Sequence, residues 1–380
     1  MTRAGNYIKQ LTGYQAFVPK PLPPDPPILL DDELVLLLSQ ASIALGKLAG
    51  LASIISDPDL FVYLYVRKEA LLSSQIEGTQ CSLEDVLSPA DKMTPNHNII
   101  EVSNYVRAMN QGLAQIKNIP VSTRLIKEMH AVLMTEARGS NKTPGQFRKS
   151  QNWIGRPGAI LNTAEFVPPP FTEIDDHMSD LEKFIHSQNS MAPLIKAALI
   201  HAQFETIHPF LDGNGRLGRL LITYLLCYWR VLDRPLLYLS YYFKAYRTEY
   251  YAKLMDVRFK GDWEGWIKFF LKAVSESAEM AKTAALEIHH LHQSNREALQ
   301  QSKPTAYTLQ VFNEFCKAPI WTVQELLAQH NSSKPKIQRA IDHLIELGFL
   351  QETSGKQRNR KYAYASYLQI LTRDTTTKIG

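Results

Sequence analysis

The stretch 208–219, HPFLDGNGRLGR, restricts the fold of this chain more than any other segment. Gly213 and Gly215 allow a tight turn, and the apolar run LLITYLLCYW follows at once, so a helix is expected to begin near Arg216. A second segment with apolar helical character, APLIKAALIHAQFETI, leads directly into the turn. The sequence therefore predicts two buried helices joined by a short glycine-rich loop that carries polar side chains.

The residue types in this loop are those that bind an anion. A helix start offers unpaired backbone N–H groups and the positive end of the helix dipole, and glycines let a ligand approach closely. Gly213, Asn214 and Gly215 are therefore expected to cradle phosphate. Arg216 and Arg219 lie three residues apart, so both guanidinium groups can reach further phosphate oxygens from one side of the helix.

Two more residues add chemistry to the cradle. Asp212 supplies a carboxylate oxygen, a ligand that suits Mg²⁺ between phosphates. His208 has a side chain that can act as a general base near neutral pH. These are the groups needed for phosphoryl or nucleotidyl transfer, and their density within twelve positions disfavours a plain turn between core helices.

Bulk properties limit the class of protein. A chain of 380 residues exceeds a single core, so two or three domains are expected. The net charge of +5 is mild, and the three scattered cysteines, Cys81, Cys227 and Cys316, fit a reducing compartment rather than a disulfide framework or a zinc site. We see no signal peptide and no apolar stretch that approaches a membrane span. These observations predict a soluble cytoplasmic protein that does not bind a membrane.

The N-terminal part alternates helical and irregular segments. A proline-rich arm over 19–34 precedes a helix capped by Asp31 or Asp32, and a second helix is expected from near Pro58 to Gly78. Three helical segments between 96 and 189 are interrupted by GQFRKSQNWIGRPGAILNTAEFVPPP, which predicts a β-hairpin. Helices resume at Pro193 and continue to about Ser294.

The character of the chain changes at Lys303. WTVQELLAQH and KPKIQRAIDHLIELG predict two helices separated by a turn, and FLQETSGKQRNRKYAY predicts two strands joined by a basic turn. This order is typical of a winged helix. Its second helix and turn collect basic residues, namely Lys334, Lys336, Arg339, Lys356, Arg358, Arg360 and Lys361.

The 208–219 stretch closely resembles the HxFx(D/E)GNGRxxR motif of the Fic (filamentation induced by cAMP) family, without a departure. The resemblance extends upstream. Ser73, Glu77 and Gly78 resemble the (S/T)xxxE(G/N) inhibitory helix of that family, and Gln151, Asn152, Trp153 and Ile154 fall where the family has its target-docking flap.

The resemblance implies AMP transfer from ATP to a Ser, Thr or Tyr hydroxyl of a target protein, with release of pyrophosphate. It implies that His208 deprotonates the hydroxyl and that Asp212 holds Mg²⁺. Arg216 and Arg219 would contact the β- and γ-phosphates. The remaining nucleotide-binding residues implied are Gly213, Asn214, Gly215, Leu217, Gly218, Tyr250 and Tyr251, the two tyrosines lying beside the adenine.

The resemblance also implies autoinhibition through Glu77. A carboxylate paired with Arg219 would occupy the guanidinium that the γ-phosphate needs, and ATP would then bind with its α-phosphate misaligned. The sequence alone also allows a solvated Glu77 on an exposed helix face.

The expected fold is mainly α, with a Fic-type helical core, a β-hairpin flap and a C-terminal winged helix. We expect an N-terminal helical region over 1–110, a catalytic core over 111–298 and a winged helix-turn-helix over 299–380. The partners expected are ATP and a target protein, and a homodimer is compatible with the sequence. DNA is a less favoured partner, because Glu325, Asp342, Glu346 and Glu352 dilute the basic charge.

Two alternatives stay open: a DNA-binding regulator whose core only senses a nucleotide, and an enzyme of the same fold that transfers or removes another phosphate-containing group.

Overall fold

The computed structural model describes residues 2–11, 13–51, 58–88, 96–156, 158–188, 190–330, 332–356, 358–373 and 375. Within these ranges the chain forms fifteen α-helices and five short strands. The predicted mainly α-helical fold is confirmed.

The N-terminus forms a hairpin that the sequence did not predict. Strand β1 (Gly5–Lys9) pairs antiparallel with β2 (Gln15–Pro19), with Tyr7 opposite Phe17. The buried Phe17 ring lies 5.8 Å from that of Phe166, so the hairpin packs beside the predicted flap. The proline-rich arm follows β2 and ends at Asp31, whose carboxylate accepts a hydrogen bond from the Leu34 N–H at 2.8 Å.

Helix α1 (Asp32–Leu51) packs one face along the long helix α11 (Trp263–Gln301). Its buried residues Leu34, Ala41, Leu45 and Leu48 follow helical spacing, whereas its other face is apolar and exposed at Val35, Leu36 and Ile43. By length and composition α1 could cross a membrane, and it is the one helix in the described ranges that could. A core helix of a soluble protein passes the same test.

The core surrounds two central helices, α7 (Pro193–Ile207) and α8 (Asn214–Tyr228), which pack against each other. Every residue of 194–207 is buried, because neighbouring helices cover all sides of α7. The helices that pack on this pair are α2 (Pro58–Ile76), α4 (His97–Gln115), α5 (Thr123–Leu133), α6 (Ile174–His186), α10 (Arg247–Lys260) and α11. Helix α3 (Leu83–Leu87) packs on α2 and α4, and α9 (Ser240–Ala245) packs on α2, α10 and α11.

The predicted β-hairpin flap is much reduced. Its two arms meet in a single antiparallel bridge between Ile154 and Phe166, and residues Leu161–Thr163 form a turn of 3-10 helix. The Trp153 indole donates to the Ala159 carbonyl at 2.9 Å across the loop. Local side-chain bonds therefore replace the strand ladder that was expected, and Pro157 of the predicted turn lies outside the described residues.

The C-terminal part contains α12 (Ala306–Lys317), β3 (Ile320–Thr322), α13 (Val323–Gln329), α14 (Lys334–Glu346), β4 (Gln351–Glu352), β5 (Lys361–Ala363) and α15 (Ala365–Thr372). The strands form an antiparallel sheet in the order β3-β5-β4. This order supports the winged-helix interpretation. The domain boundaries expected at 110/111 and 298/299 fall inside α4 and α11, and both helices continue across them.

Candidate active site

The loop between α7 and α8 is closed by Asn214. Its Oδ1 accepts from the Phe210 N–H at 2.9 Å, and its Nδ2 donates to the Phe210 carbonyl at 2.8 Å. His208 ends α7 in the left-handed region with φ 49°, and Gly213 precedes α8 with φ 78°. The loop therefore brings the His208 ring to the start of α8, and the Asn214 side chain holds the loop rather than facing a ligand.

The first turn of α8 has uncapped backbone N–H groups that suit an anion. Gly213 provides no side-chain cap, so backbone N–H groups at this helix start have no capping partner from the N-cap residue. At Gly215 the backbone lies so close to Glu77 that an added Cβ would be 2.3 Å from its Oε1. The carboxylate of Glu77 thus lies over the helix start, where the sequence predicted a phosphate.

Leu217 and Gly218, predicted as nucleotide-binding residues, point elsewhere. Leu217 is buried in the core, and a Cβ at Gly218 would lie 2.4 Å from Glu205 Oε1 on α7. Both residues pack α8 into the protein, and neither lines the cavity described below.

Arg219 is bound by Ser73 on α2 and by Glu77 directly after it. Its Nε donates to Ser73 Oγ at 2.8 Å, and its Nη2 donates to the Ser73 carbonyl at 3.0 Å and to Glu77 Oε1 at 2.7 Å. The Arg219 side chain is 1% exposed and that of Glu77 is 35% exposed. Burial, the largest single effect, opposes the charge on Arg219, but the Glu77 carboxylate together with Tyr250 and Tyr251 raises the pKa of Arg219 above its ordinary value.

The end of α2 is fixed beyond this ion pair. Gly78 takes φ 91° after the last turn, and the Thr79 N–H donates back to the Ser74 carbonyl at 3.1 Å. The Thr79 hydroxyl binds the buried Glu101, which is also paired with Arg138. Several interactions on α4 and the 134–147 loop therefore keep Glu77 at the start of α8.

Arg216 has donors left over. It is 5% exposed, and its closest acidic contact is Asp212, with 3.7 Å between Nη2 and Oδ1. Its Nε and Nη1 have no hydrogen-bond partner within the described residues. Buried unpaired donors cost free energy, so phosphate oxygens at this point would relieve that cost.

Asp212 fits the metal ligand that was expected. Its Oδ1 accepts from the Gly213 N–H at 2.7 Å, and its Oδ2 lies 3.2 Å from Lys142 Nζ. In the part of the chain that the structure describes, no group of three acidic, histidine or cysteine side chains comes together to hold a metal. A single carboxylate completed by phosphates and water is the donor set that Mg²⁺ accepts, so the site fits Mg²⁺ with a nucleotide.

The His208 ring is partly buried and uncharged. Its Nδ1 is buried without a partner in the described chain. Burial, with smaller contributions from Arg258 and Arg148, lowers the pKa of His208 to about 3. The imidazole is therefore neutral at neutral pH, which is the form a general base requires.

Arg148 and Asn152 hold the backbone of the α7–α8 loop from the flap side. Arg148 Nε donates to the His208 carbonyl at 3.0 Å, and Asn152 Nδ2 donates to the Phe210 carbonyl at 2.9 Å. Gln151 Nε2 likewise binds the Pro168 carbonyl at 3.0 Å. Of the four flap residues predicted to dock the target, Gln151 and Asn152 bind the protein itself, whereas Trp153 is 42% exposed.

His130 is a part of the site that the sequence did not reveal. Its Nδ1 accepts from the Gly145 N–H at 2.8 Å, so its Nε2 carries the proton and donates to the Asp212 carbonyl at 2.9 Å. The ring stacks on Phe210 at 3.8 Å, and burial lowers the pKa of His130 to about 4. His130 therefore positions the loop as a neutral side chain.

A cavity of about 520 Å³ opens between the flap, α2 and α10. The residues that line it include Glu77, Trp153, Ile154, Glu205, His208, Gly215, Arg219, Arg247, Tyr250 and Tyr251. A cavity of about 590 Å³ lies between α11 and α12, but it contains none of the predicted site residues. We therefore place the site in the first cavity.

The two tyrosines predicted beside the adenine differ. The Tyr250 ring is buried and stacks on Phe243 at 4.6 Å, and its hydroxyl lies 2.8 Å from His201 Nε2. Tyr251 is 38% exposed and lies beside Arg247. Tyr251 can therefore present its ring to a ligand, whereas Tyr250 supports it from the core.

Glu205 is a second lining residue that the sequence did not single out. It is 6% exposed and its Oε1 has no partner within the described residues. Burial is the main cause that raises its pKa to about 7, against the lowering effect of Arg219. Glu205 therefore keeps its proton to a higher pH than an ordinary carboxyl group.

Comparisons with known proteins agree with these motifs. The family model described as "Fic/DOC family N-terminal" matches residues 35–114, and the model "Fic/DOC family" matches residues 120–226. A probable protein adenylyltransferase from Aquifex aeolicus is 26% identical over 172 residues, which cover 44% of this chain and 49% of the relative. A protein adenylyltransferase from Caenorhabditis elegans is 28% identical over 214 residues, which cover 56% of this chain and 39% of the relative.

The chain spans half or less of the length of these two relatives. Among solved structures, a crystal structure of a Fic family protein from Desulfovibrio desulfuricans G20 superposes with a TM-score of 0.58. It is 21% identical, and the match covers 89% of this chain and 97% of that one. The likeness therefore extends the shared fold to nearly the whole chain.

Proposed function

The chain belongs to the Fic/DOC family, and from this membership we propose that it is an autoinhibited protein adenylyltransferase. It transfers AMP from ATP to a hydroxyl group of a target protein and releases pyrophosphate. The observation that carries the proposal is the neutral His208 ring beside the start of α8, where the Nε and Nη1 donors of Arg216 have no partner within the described residues.

The reaction follows from these positions. The neutral His208 ring takes the proton of the target hydroxyl, and the target oxygen bonds to the α-phosphorus of ATP. The bond from that phosphorus to the bridging oxygen breaks, and pyrophosphate leaves with that oxygen. Arg216 is placed to bind the negative charge of the leaving group.

The N–H groups at the start of α8 hold the phosphates, and the Asn214 side chain keeps this backbone in place. When bound, Mg²⁺ held by Asp212 would supply positive charge between the phosphates. The exposed Tyr251 ring offers the adenine a surface in the cavity, and the exposed Trp153 offers the target an apolar contact.

In this proposal, Glu77 inhibits the resting enzyme. Its carboxylate lies against Gly215 and pairs with Arg219, so an arriving phosphate meets a negative charge and an occupied guanidinium.

The location expected from the cysteines, the cytoplasm, remains part of the proposal.

Two labelled forms of ATP test the reaction. The full-length protein and its Glu77→Gly variant are incubated with Mg²⁺ and a cell lysate, with ATP labelled either at the α- or at the γ-phosphate. Relative to lysate incubated without the protein, which corrects for kinases in the lysate, we expect added protein-bound label from α-labelled ATP only, and more of it with Glu77→Gly. Added label from γ-labelled ATP alone would indicate phosphoryl transfer instead of AMP transfer. No added label from either form of ATP, with either protein, would contradict the proposal.

A further inference from the structure

The net positive charge of the chain arises in its C-terminal part. Residues 303–380 contain 11 of the 42 lysines and arginines and 6 of the 37 acidic residues, which gives this part a charge of +5. The other 302 residues contain 31 of each sign and are neutral. The whole net charge of the protein therefore belongs to the segment that forms α12–α15.

This charge is carried by one helix and the turn beside it. Helix α14 buries Ile337, Ala340, Ile341 and Leu344 against its neighbours, so its remaining faces are turned outward. Lys334, Lys336 and Arg339 are exposed on those faces. Within the described residues none of these three side chains pairs with a carboxylate, and Lys336 makes only a contact 5.6 Å from the Tyr307 ring centre.

The wing, defined here as residues 351–363, lies alongside this helix. Gln338 on α14 donates to the Tyr362 hydroxyl on β5 at 3.3 Å, which joins the two elements. Arg358 and Arg360 are exposed in the turn between β4 and β5. The basic helix and the basic turn therefore belong to one continuous surface.

The acidic residues that counted against DNA in the sequence are partly engaged. Glu325 caps its own helix by accepting from the Thr322 N–H at 2.9 Å. Glu352 accepts from the Ser354 and Gly355 N–H groups at 2.8 and 3.0 Å, inside the turn of the wing. Both carboxylates thus have structural roles in holding the elements that carry the basic side chains.

We propose that this surface binds double-stranded DNA, with α14 in the major groove and the wing on the adjacent sugar-phosphate backbone. The second helix of a helix-turn-helix has the diameter that the major groove of B-DNA admits, whereas the deep, narrow major groove of duplex RNA excludes a helix. Exposed lysines and arginines supply the contacts to phosphate. This inference goes beyond AMP transfer and does not depend on it.

The test uses the full-length protein and a fluorescent 24-base-pair DNA duplex of mixed sequence. Binding is measured by anisotropy at several salt concentrations from about 50 to 200 mM. We expect micromolar affinity at the low end and a linear fall of log K with log salt. The triple variant Lys334→Gln, Lys336→Gln, Arg339→Gln should bind at least tenfold more weakly, and its salt slope should decrease by about 0.9 for each phosphate that is no longer neutralised.

A matched variant separates a specific surface from net charge. Lys9→Gln, Lys47→Gln and Lys117→Gln remove the same three charges from exposed positions of the neutral part and should leave DNA binding unchanged. Glutamine has a helix propensity close to that of lysine and arginine, and circular dichroism confirms that each variant is folded. Three results would overturn the proposal: no binding by the wild type at 50 mM salt, equal weakening in both triple variants, or equal affinity for duplex RNA of the same sequence.

Discussion

The guanidinium of Arg219 and the carboxylate of Glu77 meet at 2.7 Å although 142 residues separate them along the chain. Arg219 lies in the second turn of α8, the helix whose start would bind phosphates, and Glu77 directly follows the end of α2. Because Arg219 is buried and its donors are shared between Ser73 and Glu77, it is not free for a nucleotide in this state.

Substitution Glu77→Gly is expected to raise the rate of AMP transfer by about 10²-fold. Removal of the partly shielded Glu77 carboxylate frees Arg219 for the γ-phosphate. An ion pair of this kind is worth a few kcal/mol, and each 1.36 kcal/mol of activation free energy changes the rate tenfold. The double variant Glu77→Gly/Arg219→Ala should stay slow, because Arg219 has a role of its own toward the γ-phosphate. Glu84→Gly, at an exposed site, is the control and should behave like wild type. Equal rates for wild type and Glu77→Gly would remove the autoinhibition hypothesis.

Substitution His208→Ala is expected to lower the rate of the Glu77→Gly enzyme by about 10²–10⁴-fold, the usual effect of losing a general base. ATP affinity, measured by calorimetry, should change little, since the helix start and Arg216 bind the phosphates. His290→Ala, on an exposed position of α11, serves as the control. A variant that binds ATP and transfers AMP at the unmodified rate would show that His208 is not the base.

Substitution Lys142→Gln is expected to strengthen metal binding at Asp212. Lys142 Nζ lies 3.2 Å from the same carboxylate that would hold Mg²⁺, so the two cations compete. Both side chains are partly exposed, which limits the effect to about 1 kcal/mol, or roughly fivefold. The measurement is Mn²⁺ binding by electron paramagnetic resonance, with Asp212→Asn as the variant that should not bind and Lys149→Gln as the charge control. An unchanged Mn²⁺ affinity would mean that Lys142 does not guard the site.

Substitution Glu205→Gln is expected to stabilise the protein at high pH relative to wild type. Burial raises the folded-state pKa of Glu205 to about 7, from an ordinary value of 4.5. Its contribution to stability is therefore present below pH 4.5 and is lost as the pH rises through 7. Glutamine cannot ionise, so the difference in free energy of unfolding between variant and wild type should shift by about 1–3 kcal/mol between pH 5 and 8.

Thermal unfolding at these two pH values measures the shift, and Glu84→Gln, at an exposed carboxylate, should show none. Parallel curves for Glu205→Gln and wild type would mean that Glu205 titrates as an ordinary surface residue.

The α7–α8 loop could be predicted because the residues that shape it are contiguous in the sequence. Asp212, Gly213 and Arg216 act through neighbours on the same turn, so their spacing in the sequence already defines their geometry. His130 lies 82 residues from the carbonyl it binds, and on its amphipathic helix it looks like any buried histidine. Only the packing of α5 against α8 reveals its position.

Irregular segments were harder for a different reason. Apolar residues on both sides of a Gly/Pro turn predicted a hairpin at the flap, yet side chains such as Gln151 and Asn152 bind nearby backbone and leave a single bridge. The β1–β2 hairpin was missed because its strands are short and Tyr7 and Ile8 are substantially exposed, so no buried face repeats along the sequence. Tertiary contacts, rather than local pattern, decide both cases.

The close approach of Glu77 to Gly215 makes occupancy of the helix start exclusive. A phosphate and the carboxylate cannot share that space, so their free energies of binding are coupled, and the coupling is the same in both directions. Moving the 77–79 segment away from α8 would raise the affinity for ATP by a certain factor. Binding of ATP would weaken the docking of that segment on α8 by the same factor. A ligand or partner that contacts only the neighbouring Thr79–Glu101–Arg138 cluster would therefore change the nucleotide affinity of the protein without touching the nucleotide.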